Sequence, residues 1–546
     1  MRRRLTQRHV LKLLATAGAL LSVSLASAAW RNARAPRALA VGEVPIAFWS
    51  WRADAPAEED VERAAREAHA RTLFIRAGQL DYEGGEVRRV RAVGGRFPRA
   101  LELQLVYNAT PSLLEEFERI GEQALAAKAV ETFARDRGRA SRDGARVAGL
   151  QLDLDVPTRQ LSRYARVLKF VREQLPKDAR LSITGLPTWM DSAELPGVLG
   201  AVDFWIPQFY GAAIPERLDR LQPISSPRGV VRSVARAREL GRPFYAGLAA
   251  YGYALLYARD GKLLRLRGDL DPSLAARDEN LELIERRAFE SQQAEFAGDV
   301  EAPTRGETPG EWRYVYRVRE DGVIDGLVVR AGEHIVLDVP GSAGLRASVR
   351  GVREQAGPLL LGICIFRLPE RGDQTTLSIP QVSSALADED ATAATRVSIE
   401  RGGAEVGNEL SNQMLLTATN TGAAGSLLGD DALVVLLSVP RGSVRGVASL
   451  DGFSSFETLC EGASNRFRAS VEAGSNAPEL CPCSPARASV VRLRARAWMG
   501  GAVARARISF EGSAPETFAA NIRMQTDDGR TWRREQNLRT EEAGGR

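Results

Sequence analysis

The stretch "GLQLDLDVPT" (149–158) sets Gln151, Asp153 and Asp155 at every second position, with leucines between them and Pro157 just beyond. Period-two alternation marks a strand with one apolar and one polar face. If Leu150, Leu152 and Leu154 pack against helices, both aspartates point the other way, with alpha carbons about 6.5–7 Å apart. Carboxylates taken out of water are costly unless they sit at an open mouth or in a hydrogen-bonded network. Two so close also couple, so that one holds a proton near neutrality. That is the arrangement acid chemistry at a glycosidic bond requires. The plainer reading of the same residues is a pair of capping aspartates that tether a loop.

Such a pair acts only where a scaffold aims it. Short apolar strands alternate with helical stretches from residue 44: "VPIAFWSW" (44–51), "TLFIRAGQL" (72–80), "LELQLVYN" (101–108), "VAGLQLDLD" (147–155), "LSITGLP" (181–187), "VDFWIPQFY" (202–210) and "PFYAGLAAYG" (243–252). In one intervening helix Leu161, Tyr164, Val167, Leu168 and Val171 recur at helical spacing and should face the sheet. Seven β/α alternations demand a parallel sheet with right-handed crossovers. No glycine-rich phosphate loop follows the first strand, which argues against an open nucleotide-binding sheet. "LLLGICIFRL" (359–368) supplies an eighth strand, after an insertion at about 253–357 that reads as charged helices plus a strand-like "GVIDGLVVRAGEHIVLDV". The expected fold is α/β, a TIM-type (β/α)8 barrel over 44–380. From 385 to 546 short strands separated by Gly, Asn and Ser turns predict an all-β, sandwich-like domain.

Barrel enzymes work at the C-terminal ends of their strands. Trp49 and Trp51 end the first strand, Arg76 and Gln79 the second, Tyr107 and Asn108 the third; Trp189 follows the fifth. Gln208 and Tyr210 end the sixth, and Tyr251 and Tyr253 end the seventh. Aromatic rings at a mouth stack on pyranose faces while polar neighbours fix the hydroxyls. The expected catalytic residues are Asp153, Asp155 and Tyr210. The expected substrate-binding residues are Gln151, Gln208, Trp49, Trp51, Trp189, Arg76, Asn108 and Tyr251.

"GLQLDLDVP" resembles the fourth-strand signature of family 18 chitinases, Asp-Gly-x-Asp-x-Asp-x-Glu. Gly149 matches its glycine and Asp153 its middle aspartate; Asp155 stands where the acid glutamate belongs, while Ala148 and Gln151 replace the leading aspartates. "VDFWIPQFYGA" is similar to that family's sixth strand, with Gln208 and Tyr210 facing substrate. Over most of 44–375, "FWSW", "GLQLDLDVPT", "LSITGLPTW", "VDFWIPQFYG" and "GICIFRLP" are similar to an exported bacterial family of unknown function, DUF3142. The resemblance implies a glycoside-hydrolase-like protein acting on a polysaccharide, an amino-sugar polymer, with Asp155 as proton donor and Asp153 as its partner. The alternative it leaves open is a non-catalytic glycan-binding or envelope-associated barrel.

The remaining composition narrows the partners. With 546 residues, 44% hydrophobic and 26% charged, the chain is globular and multidomain. Net charge is +5, but the basic residues are scattered and no nucleic-acid-reading motif accompanies them, so no nucleic-acid partner is expected. "MRRRLTQRHV", an apolar run and "ASA" make residues 1–28 a secretory signal peptide, hence a periplasmic or extracellular protein. A membrane enters only if that segment stays uncleaved. Three histidines, one of them in the leader, leave little for a histidine triad or a metal site, and neither metal nor cofactor is expected. Of four cysteines, Cys481 or Cys483 can bridge to Cys460, while Cys364 reads as a buried thiol.

Overall fold

Eight strands run parallel: β1 (Ile46–Ser50), β2 (Ala70–Glu83), β3 (Glu102–Ala109), β4 (Arg146–Asp153), β5 (Arg180–Gly185), β6 (Phe204–Pro207), β7 (Phe244–Ala249) and β8 (Leu360–Phe366). Each pairs with its neighbour, and β1 pairs with both β2 and β8, which closes the barrel. The computed structural model describes residues 38–211, 214–289, 311–401, 412–461, 480–512 and 514–541. The leader expected over residues 1–28 lies outside the described residues.

The outer ring is built from α1 (Glu58–Glu67), α2 (Glu122–Arg142), α3 (Leu161–Gln174), α4 (Leu195–Leu199), α5 (Pro227–Glu239), α6 (Ser342–Gln355) and α7 (Ile379–Leu386). After β2 an antiparallel hairpin with Glu86–Val90 takes the place of a helix. The apolar spacing of α3 does what it predicts: Leu161, Tyr164, Val167, Leu168 and Val171 are all buried. They meet Leu150, Leu152 and Leu154 in one continuous layer between strands and helices. Burying each such leucine stabilises the fold by roughly 1.5–3 kcal/mol, so the period of β4 fixes which face turns inward.

A second apolar cluster fills the barrel itself, with Trp49, Phe74, Val106, Phe204, Ile206, Tyr245 and Cys364. Gly149 is required there. A Cβ at this position would lie 2.3 Å from the Arg180 carbonyl and 2.5 Å from Gln104 Oε1, where β3, β4 and β5 crowd together.

Between β7 and α6 the chain forms a five-stranded antiparallel sheet, in the order Leu263–Arg267, Tyr253–Tyr257, His334–Pro340, Glu311–Val318, Leu281–Phe289. The charged stretch 281–289, inside the insertion expected to contain charged helices, is a strand. Its backbone finds partners along the whole ladder with Glu311–Val318, and that pairing outweighs the local preference of its charged residues. Within this sheet Arg313 and Asp338 form a two-pronged ion pair with both side chains buried.

The C-terminal region packs a four-stranded sheet (Thr395–Arg401, Gln413–Asn420, Val503–Phe510, Val444–Asp451) against a six-stranded one. Strand Val503–Phe510 alternates strictly, with Ala504, Ala506, Ile508 and Phe510 directed into the shared core. Cys460 is bonded to Cys483 across 23 residues, which leaves Cys481 exposed and Cys364 buried in the barrel. The two regions meet at Asp527. Its carboxylate accepts hydrogen bonds from Ser342 on α6 and from Gln381 on α7, and its carbonyl accepts one from the Trp312 indole.

Candidate functional site

Asp153 is the last residue of β4, and Leu154 and Asp155 continue its alternation into the mouth. Asp153 is partly covered, whereas Asp155 is exposed yet set among barrel walls that strip part of its hydration. Burial pushes the Asp153 carboxyl up to about 7, the neighbouring Asp155 charge adds to the rise, and the nearby Thr184 hydroxyl opposes it. Asp155 is raised too, by burial. The two titrate as one unit, because removing a proton from either makes removal from the other harder.

The loop carrying Asp155 is held from outside. Trp189 donates its indole N–H to the Val156 carbonyl at 3.1 Å, and Tyr164 donates its hydroxyl to the Leu152 carbonyl at 3.2 Å. Trp189 was expected at the mouth. It is instead fully buried in the outer layer, edge-on to Tyr164, because the short turn Pro187–Trp189 folds back over α3. Trp49 is also displaced from its expected role. It points inward, but is buried among the side chains that fill the barrel, edge-on to its neighbour Phe366, and its indole N–H donates to Gln151 Oε1 at 2.9 Å. Gln151 in turn donates to the Ser182 hydroxyl at 3.4 Å and is fully buried. Gln151 and Trp49 therefore form the floor of the site rather than its lining. Tyr107 faces outward and donates to Asp136 at 2.8 Å, in a cluster with Arg89 that braces β3 against α2.

The residues that share the mouth form two groups. One is aromatic and centres on Phe366, the last residue of β8. Its ring lies 6.0 Å from Trp51, 5.9 Å from Tyr210 (nearly parallel) and 5.0 Å from Tyr251. Tyr253 packs behind Tyr251 at 6.4 Å. Burial raises the Tyr210 hydroxyl pKa, with Tyr251, Cys364 and the charges of Asp153 and Asp155 adding to it. At neutral pH Tyr210 is therefore a hydrogen-bond donor beside the aspartates. Gln208, two residues on from Ile206, continues the inward face of β6 and is half-buried.

The other group is polar and runs across β2 to β5. Gln79 Oε1 and Asn108 Oδ1 are buried atoms with no hydrogen-bond partner among the described residues, and the Thr184 hydroxyl turns toward Asp153. Buried polar atoms are nearly always paired, so two such atoms on adjacent strands, beside Asp153, mark a place where something else supplies the partners. Arg76 stands beside them, buried, with one contact to the Arg52 carbonyl at 3.4 Å. Phe366 and Thr184 were not singled out from sequence. Parity pointed to both, since Thr184 shares a face with Ser182, and Phe366 with Cys364.

Solved structures similar to this chain include the spore cortex-lytic enzyme SleL of Bacillus cereus, with 13% identity, a TM-score of 0.41, and coverage of 64% of this chain and 74% of that one. A chitinase of Chromobacterium violaceum has 13% identity and a TM-score of 0.40, covering 63% and 99%. A glycoside hydrolase family 18 N-acetylglucosaminidase of Paenibacillus barengoltzii has 13% identity and a TM-score of 0.39, covering 63% and 100%. No curated protein matches the chain in sequence. Among the described residues no helix is long and apolar enough to cross a membrane. Residues 116–283, the segment that contains β4 to β7 and both aspartates, match the domain of unknown function DUF3142.

Proposed function

We propose that the barrel mouth binds a glycan and that Asp153 and Asp155 together carry out acid–base hydrolysis of a glycosidic bond. The substrate class, an amino-sugar polysaccharide, follows from the likeness of residues 149–157 to the family 18 signature. The observation that carries the reading is the coupled carboxylate pair, one member of which keeps its proton up to about pH 7. Asp153 hands that proton to Asp155, the exposed member, which donates it to the leaving oxygen as the bond to the anomeric carbon breaks. Asp153 stabilises the positive charge that develops on the ring. Where the sugar carries an acetamido group, that group acts as the nucleophile.

Tyr210 and Gln208 position the ring, Trp51, Tyr251 and Phe366 offer faces for stacking, and Arg76 and Asn108 take hydroxyls. No step calls for a metal or a cofactor. The leader pattern at 1–28 supports an activity outside the cytoplasm, with membrane attachment only if the leader is retained.

A second reading, a non-catalytic glycan-binding or envelope-associated barrel, is favoured by two features. Asp155 is one methylene shorter than the glutamate of the signature, and Gln151 is a neutral residue locked by Trp49 and Ser182. A hydrolysis and binding screen of polysaccharides separates the two. Catalysis predicts that Asp153→Asn and Asp155→Asn each cost about 10²-fold or more in rate. Binding alone predicts retention without turnover, lost in Trp51→Ala. Hydrolysis unaffected by either aspartate substitution ends the catalytic assignment.

A further inference from the structure

A cleft of about 310 Å³ lies between the segment that follows β8, the start of α7, and the sandwich loops around Ser426, Met499 and Asp527. Neither the aspartate pair nor the aromatic cluster lines it, so it is distinct from the mouth. One loop separates the two. Arg52, next to Trp51, is ion-paired with Glu370 and Asp373, which line the cleft, and Tyr251 bridges through its backbone to Thr376, which also lines it.

Two buried polar atoms of the lining find no partner among the described residues: the Thr376 hydroxyl, on a residue 8% exposed, and Arg63 Nε. The strongest charges are already engaged. Burial works against the charge of Asp373, but Arg367, Thr375 and Arg52 outweigh it and hold its pKa low. Asp527 is committed to Ser342 and Gln381. What remains is a mixture of donors and acceptors from Arg371, Gln374 and Thr376, with the Arg63 Nε–H and the Ser426 hydroxyl proton beside them, and no aromatic ring. A lining of this kind does not suit an apolar or singly charged ligand. It matches closely spaced groups that both donate and accept, which is the chemistry of sugar hydroxyls.

We propose that this cleft is an extension subsite for saccharide, engaged by chains long enough to reach past the β8 loop while one end occupies the mouth. The inference rests on the glycan reading of the mouth and adds a second point of contact to it. A chain held at two places binds tighter than one held at one, with no change at the mouth.

The test is calorimetric binding of the N-acetylglucosamine dimer and hexamer to the full chain carrying Asp155→Asn, which prevents turnover. The hexamer should bind about tenfold or more tighter than the dimer. Adding Thr376→Val or Gln374→Ala should cut that advantage by about three- to tenfold and leave dimer affinity unchanged. Thr376→Val removes a hydroxyl with no partner among the described residues, so its melting temperature without ligand should not fall. Loss of hexamer affinity is then not a folding defect. If the dimer binds and the hexamer gains nothing, or keeps its gain in both variants, the subsite is refuted while the mouth stands. If neither oligomer binds, the glycan reading of the mouth falls, and the subsite with it.

Discussion

Asp153→Asn should make the protein more stable, and more so as pH rises. In the folded chain the Asp153 carboxyl is pushed up to about 7, against 3.8 for a free carboxyl in water. The native state thus binds this proton more tightly than the unfolded chain does. Its contribution is fully present below about pH 4, is lost progressively as pH rises through 7, and is flat beyond. The full shift corresponds to about 4 kcal/mol, an upper limit because Asp153 is partly solvated and shares its protons with Asp155. Part of that loss has already occurred by pH 5, so between pH 5 and pH 8 the advantage of Asp153→Asn over the parent should grow by about 2–3 kcal/mol. Differential scanning calorimetry of the barrel transition at both pH values reads this directly, as a gap in melting temperature of several degrees that widens toward pH 8. A gap that is constant or narrows with pH would refute the desolvated, coupled pair, and with it the physical basis for acid–base chemistry at the mouth.

Three further outcomes are expected. Trp189→Ala should destabilise the barrel by about 3–5 kcal/mol through the cavity it leaves. It should also free the Val156 loop, read as faster amide exchange at 154–157. Asp338→Ala removes the buried carboxylate that forms the two-pronged pair with Arg313 and should cost about 3–5 kcal/mol in denaturant unfolding, whereas replacing both partners with apolar residues should restore much of the loss. Cys460→Ser opens a loop of 23 residues and should lower the stability of the sandwich by about 3 kcal/mol, with the barrel transition in calorimetry unmoved.

Much of the barrel was legible because its signal is local. The leucines of 150–154 and the apolar face of 161–171 carry different periods, and each period admits one way of burying its apolar side. The insertion was less legible. A strand such as Leu281–Phe289 is held by pairing with residues about thirty positions away, and nothing in its own composition announces that partner. For the site, parity placed Gln151, Asp153 and Asp155 on one inward face, but parity carries no depth. Trp49 obeys the inward parity and still is buried in the barrel-filling core; Trp189 follows a strand end and still turns outward.

Sequence alone therefore determined the direction of the aspartates, since a strand whose leucines must be buried can turn its other side only inward. Tertiary structure decided their chemistry. The proton shared by Asp153 and Asp155 depends on the water excluded by β3, β5 and the Phe366 cluster, and on Asp155 standing near enough to repel. Those are properties of chain segments brought together from across more than two hundred residues, and no single segment encodes them.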